Sequence, residues 1–84
     1  MSTEEASART LFIGDLSYFC NEDDIFDLFL NFGPVISVDL KRGRSGESLL
    51  HAFVEMSTRA DAEEALKVLN TKKFKGRKMR LLSF

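Results

Sequence analysis

One cysteine, one histidine, eight phenylalanines and a segregated set of charges decide which chemistries are open to this 84-residue chain. A lone Cys20 forms no internal disulfide, and with only His51 beside it in the inventory it closes no zinc or iron–sulfur site. It reads as a small, partly buried apolar residue. The chain offers neither a nucleophile–base pair nor a cysteine pair, so an enzyme is not expected, and no cofactor or metal is expected. The net charge of −1 argues against strong, general polyanion binding. That average conceals a split. Residues 1–40 hold eight acids and one base, a balance of −7, and residues 41–84 hold eleven bases and five acids, a balance of +6. Asymmetry of this kind can mark a binding face, or two differently charged solvated surfaces.

The elements that position these residues follow from periodicity. Residues 1–8 are polar with no apolar period and are expected to be a disordered lead-in, followed by a single domain over residues 9–84. No apolar run reaches the roughly 18 residues of a membrane span, and the polar, acidic start does not resemble a signal peptide, so an intracellular setting and no membrane partner are expected.

Thr10-Leu11-Phe12-Ile13-Gly14 reads as a strand with Leu11 and Ile13 on one face and Phe12 on the other. Asn21 before Glu22-Asp23-Asp24 is a helix N-cap followed by a dipole-matched first turn. Ile25, Leu28, Phe29 and Phe32 form its apolar stripe, and Gly33-Pro34 is expected to end it. A second strand runs Val35 to Lys41, with Val38 and Leu40 inward and Asp39 and Lys41 outward. A Gly- and Ser-containing loop, Arg42 to Ser48, is expected to be flexible. The third strand, Leu49 to Met56, sets Leu50, Ala52, Val54 and Met56 against Leu49, His51, Phe53 and Glu55.

Thr58 with Asp61 resembles a capping box, and Ala62, Ala65, Leu66 and Leu69 make the second helical stripe, with Asn70 as its stop. A last strand is predicted over Lys78 to Ser83, with Met79 and Leu81 inward and Lys78, Arg80 and Leu82 outward.

The order strand, helix, strand, strand, helix, strand predicts an α+β, ferredoxin-like βαββαβ sandwich: a four-stranded antiparallel sheet with both helices on one face. The other face is then open. Phe12 and Phe53 fall on it by alternation, at a cost of roughly 1.5–3 kcal/mol each relative to burial, and an exposed apolar patch usually has a purpose.

With these elements in place the chain resembles the RNA recognition motif family. Leu11-Phe12-Ile13-Gly14-Asp15-Leu16 is similar to the family's first-strand signature, with Asp15 off the pattern. Leu49-Leu50-His51-Ala52-Phe53-Val54-Glu55-Met56 is similar to its third-strand signature at Ala52, Phe53, Val54 and the apolar Met56. Leu49 and Leu50 stand where the family has a basic residue and glycine. Leu28-Phe29 with Phe32-Gly33-Pro34-Val35, and Ala65-Leu66 with Leu69-Asn70, Gly76-Arg77 and Leu81, extend the likeness from Arg9 to Phe84.

The resemblance implies single-stranded RNA binding on the open sheet face, within RNA processing, by a monomer located in the nucleus rather than the cytoplasm. It makes Phe12 and Phe53 the stacking platforms and His51 a third flat side chain. Lys41 and Arg80 are the expected phosphate contacts, with Lys78 on the same face. Asp15 and Asp39 bring negative charge toward the sheet or its rim.

A protein-binding module is the alternative. A subset of the family binds peptides through an acidic first helix and an Arg-any-Phe loop. Here Glu22, Asp23, Asp24 and Asp27 make that helix acidic, and the loop around Phe74 reads Lys72-Lys73-Phe74. Lys lacks the planar fork that Arg offers. Such a partner would sit on the helical face.

Overall fold

Side-chain alternation along four strands builds the sheet, and the buried residues show which face the helices take. The computed structural model describes residues 3–42 and 49–83. Most of the Gly- and Ser-containing loop expected to be flexible, with Arg44, lies outside the described residues.

The elements are α1 (Thr3–Ala8), β1 (Thr10–Ser17), α2 (Glu22–Leu30), β2 (Val35–Lys41), β3 (Leu49–Met56), α3 (Arg59–Leu69), β4 (Lys73–Phe74), β5 (Arg77–Lys78) and β6 (Arg80–Ser83). The four-stranded sheet has the order β2-β3-β1-β6, antiparallel throughout. Leu11, Ile13, Ala52, Val54 and Leu81 from one sheet face join Ile25 and Phe29 of α2 and Ala62, Ala65 and Leu69 of α3 in one buried core. The predicted ferredoxin-like sandwich is the fold observed.

Both long helices start as their caps predict. The Asn21 side chain accepts from the Asp24 amide at 2.8 Å, and the Asp24 carboxylate accepts from the Asn21 amide at 3.0 Å, a reciprocal capping box. At α3, Thr58 Oγ1 accepts from the Asp61 amide at 3.1 Å. α2 ends at Leu30, earlier than its stripe suggests. Phe32 donates its amide to the Phe29 carbonyl at 3.0 Å in a tightened last turn and still packs on the core. Gly33 follows with φ 147°, and a Cβ there would run into the Asp61 carboxylate of α3. The glycine therefore lets the two helices approach as well as letting the chain turn.

Three expectations are corrected. The lead-in is not featureless: Thr3–Ala8 form a short helix, closed by Arg9 N–H to the Ala6 carbonyl at 3.2 Å and by Thr10 Oγ1 donating to the same oxygen at 2.6 Å. β1 does not stop at Gly14. A register shift between Ile13 and Leu16, with Asp15 at φ 60°, inserts one residue and carries the strand to Ser17. Leu11, Ile13 and Leu16 are all buried, at spacings of two and then three. A period of two forbids that unless a bulge resets it.

The last strand is the third correction. Met79 donates to the Lys72 carbonyl at 2.9 Å and its carbonyl accepts from Thr71 N–H at 2.9 Å, which draws it out of the main ladder. Lys78 instead pairs with Lys73 in a separate β4–β5 hairpin. That hairpin turns through Lys75 (φ 54°) and Gly76 (φ 85°), the two positive φ values of a type I′ turn. Only Arg80–Ser83 join the sheet, so Lys78 lies on the hairpin beside the four-stranded ladder and not within it.

Candidate functional site

The uncovered sheet face can be read row by row from the strand registers. One row runs Asp39, Phe53, Phe12, Leu82 across β2, β3, β1 and β6. A second begins with Lys41 opposite His51 on β2 and β3 and closes with Gly14 opposite Arg80 on β1 and β6. Phe12, His51 and Phe53 thus meet at the centre of the sheet. Their ring centroids lie 5.8 Å (Phe12–His51), 5.5 Å (Phe12–Phe53) and 6.1 Å (His51–Phe53) apart, tilted or edge-on to one another. These are favourable aromatic separations. Mutual packing leaves the three rings half-buried, not fully exposed. It also holds them in place, which a stacking surface requires.

Gly14 contributes by having no side chain. A Cβ there would lie 3.1 Å from Phe12 Cε1 and 3.6 Å from an Arg80 guanidinium nitrogen. The Phe12 ring therefore lies back over Gly14, and the Arg80 guanidinium also approaches that glycine.

Charge on this face comes in pairs. Lys41 Nζ is 3.2 Å from Asp39 Oδ2, and Arg80 Nε is 4.0 Å from Asp15 Oδ2. Arg9 and Glu55 pair at 3.3 Å at the far end of β3. The bulge in β1 turns Asp15 toward the last strand, where its carbonyl also accepts from Arg77 Nε at 3.3 Å. Lys41 and Arg80, both expected as anion contacts, are on the face and more than half exposed, each beside an aspartate.

Sequence reasoning assigned no role to three exposed groups, one on this face and two beyond the end of β1. Leu82 is 50% exposed and extends the Phe53–Phe12 row. Tyr18 and Phe19 sit in the turn after β1, where Phe19 is 84% exposed and Arg42 lies 5.3 Å above the Tyr18 ring. An adjacent Tyr-Phe pair between a strand and a helix cap, where a turn is usually polar, was the available signal. On the other side of the molecule Phe74 packs against the core, and Lys75 Nζ ties its loop to Asp24 at 3.5 Å. Cys20 is 1% exposed; burial first, then the Asp24 charge, push its thiol pKa above the ordinary 9.0, against an opposing pull from Lys75.

A sheet with helices on one face and clustered rings on the other defines a platform domain. Residues 11–80 match the family model of the RNA recognition motif, and the chain belongs to that family. It is 36% identical over 81 residues to RNA-binding protein 7 of Danio rerio, covering 96% of this chain and 32% of that protein. The chain thus spans less than a third of that relative's length. The Pes4 RRM3 domain superposes with a TM-score of 0.82 at 30% identity, covering 90% of both chains. The Rna15 RRM with bound RNA (GU) superposes with a TM-score of 0.78 at 25% identity, covering 90% of this chain and 82% of that one.

Proposed function

We propose that this domain binds single-stranded RNA on the open sheet face. Bases stack on Phe12 and Phe53, and His51 supplies the third flat surface. Lys41 and Arg80 contact phosphates from opposite sides of the ring cluster, and Lys78 adds positive charge on the hairpin beside the sheet. The observation that carries this reading is the three-ring cluster held at 5.5–6.1 Å on a face that, among the described residues, no helix covers. Stacking on such rings contributes about 1–3 kcal/mol per base and tolerates any base, because every base has a π-face. Membership of the family and the likeness to an RNA-bound relative support the same reading.

The same proposal makes the domain a non-enzymatic monomer that binds RNA within RNA processing, in the nucleus rather than the cytoplasm. Among the described residues no helix is long and apolar enough to cross a membrane. In the loop that the peptide-binding alternative would use, Phe74 is half-buried against the core.

The test is an amide NMR titration with a pool of short single-stranded RNAs. Shifts concentrated at Phe12, His51 and Phe53 are expected. A silent sheet at high RNA concentration would reject the proposal and direct attention to α2 and the Phe74 loop as a protein contact.

A further inference from the structure

The geometry points to Asp39 as a specificity-determining residue that selects guanine on the Phe53 platform. This inference rests on the stacking reading above and goes beyond it, because stacking alone does not distinguish bases.

Asp39 is the direct cross-strand partner of Phe53 and shares its face of the sheet. Directly opposed Cβ atoms in an antiparallel pair lie about 4.5–5.5 Å apart. The Asp39 carboxylate therefore stands at the rim of any base lying on the Phe53 ring, on the outer, β2 side of the sheet. The carboxylate is 59% exposed and so accessible to that base. Lys41 Nζ touches its Oδ2 at 3.2 Å, which anchors the group beside the platform. A carboxylate has about four acceptor sites, so the lysine leaves both oxygens able to accept again.

An ionised carboxylate only accepts hydrogen bonds. Guanine is the one common base whose Watson–Crick edge carries two adjacent donors, N1–H and N2–H, matching the two oxygens. Adenine and cytosine each present one amine beside a ring lone pair, which would face the second oxygen and be repelled. Uracil presents N3–H between two carbonyls. Recognition of splayed bases by hydrogen bonds to this edge is what an open sheet face permits. Two hydrogen bonds to one base edge discriminate by about tenfold or more.

Asp15 supplies the internal control. It is also an exposed carboxylate on this side of the molecule, but it lies at the β1 bulge beside Arg80 and is not the cross-strand partner of either Phe. Removing its charge should favour every RNA alike.

The experiment measures fluorescence anisotropy with short oligouridines carrying G, A, C, U or inosine at one central position. The proteins are the wild-type chain, Asp39→Asn and Asp15→Asn. For the wild type, the G probe is expected to bind about tenfold more tightly than the U probe, with inosine, which lacks the N2 donor, in between. Asp39→Asn should reduce the G-to-U ratio to within about twofold while binding the all-U probe no more weakly, since a repulsive charge is gone. Asp15→Asn should leave the ratio intact. A wild type without guanine preference, or an Asp39→Asn protein that retains it, overturns the assignment while leaving base stacking in place. Binding of none of the probes would remove the stacking reading and this inference with it.

Discussion

Leu11 and Phe12 are neighbours in the chain and end in opposite environments. Leu11 is 1% exposed under the helices, whereas Phe12 lies on the outer face against His51 and Phe53. The same contrast runs the length of β3, where Ala52 and Val54 are fully buried and His51 and Phe53 are not. One face is closed by α2 and α3 and its apolar groups are satisfied within the fold. The other assembles a comparable apolar cluster with nothing laid over it among the described residues. Apolar character therefore does not separate structural from functional residues here; what lies above them does. The covered face should govern stability and the open face should govern binding, and each can be perturbed separately.

The largest expected effect is on the covered side. Phe29→Ala removes the largest fully buried side chain and should destabilise the fold by about 3–5 kcal/mol, read by urea denaturation. Loss of RNA affinity in a Phe29→Ala protein that stays fully folded would blur the division between the faces. Phe53→Ala is the mirror experiment. It should weaken RNA binding by about 1–3 kcal/mol while the unfolding midpoint moves far less than for Phe29→Ala. An unfolded Phe53→Ala protein would mean that the ring cluster is a second core.

A smaller effect separates rings from charges. The logarithm of the affinity should fall against the logarithm of salt concentration with a slope of about −0.7 per phosphate contact, so Lys41→Ala and Arg80→Ala should each flatten the slope by about that amount. An unchanged slope would remove the substituted residue from phosphate contact. The carboxylate partners of both residues make this informative, because an Asp39 or Asp15 that keeps its base occupied would mute the response.

The smallest effect returns to the covered side. Cys20 has its thiol pKa raised by burial, so its contribution to stability is complete below the ordinary 9.0 and is lost as pH rises toward the raised folded value. Wild type should lose stability relative to Cys20→Ala across that alkaline window, measured by denaturation at stepped pH. A difference that does not change with pH would show that the thiol is not held neutral by the fold.

Much of this was legible in the chain. β2 and β3 occupy the predicted residues Val35–Lys41 and Leu49–Met56, because flanking turn signals and alternation, along β3 and from Val38 to Lys41 in β2, act locally. The same alternation placed Phe12, His51 and Phe53 together on one face. The departures share a different cause. The bulge at Asp15, the withdrawal of Met79 from the ladder and the docking of Thr10 on the Ala6 carbonyl each depend on a hydrogen-bonding partner or a strand register. Lys78 stands outside the main ladder for that reason: its strand partner is Lys73 of the hairpin and not a residue of β1.

By itself, then, the sequence determined the order of elements, the caps that start α2 and α3, and which side of each regular strand faces the helices. Those choices rest on propensity, capping and period, all decided within a few residues. Only the tertiary structure decided that three rings from two strands touch, that Phe12 and Arg80 both approach Gly14, and that Lys41 and Arg80 each stand by an aspartate. Such contacts are set by strand register and a bulge, and a register exists only once separate segments have paired.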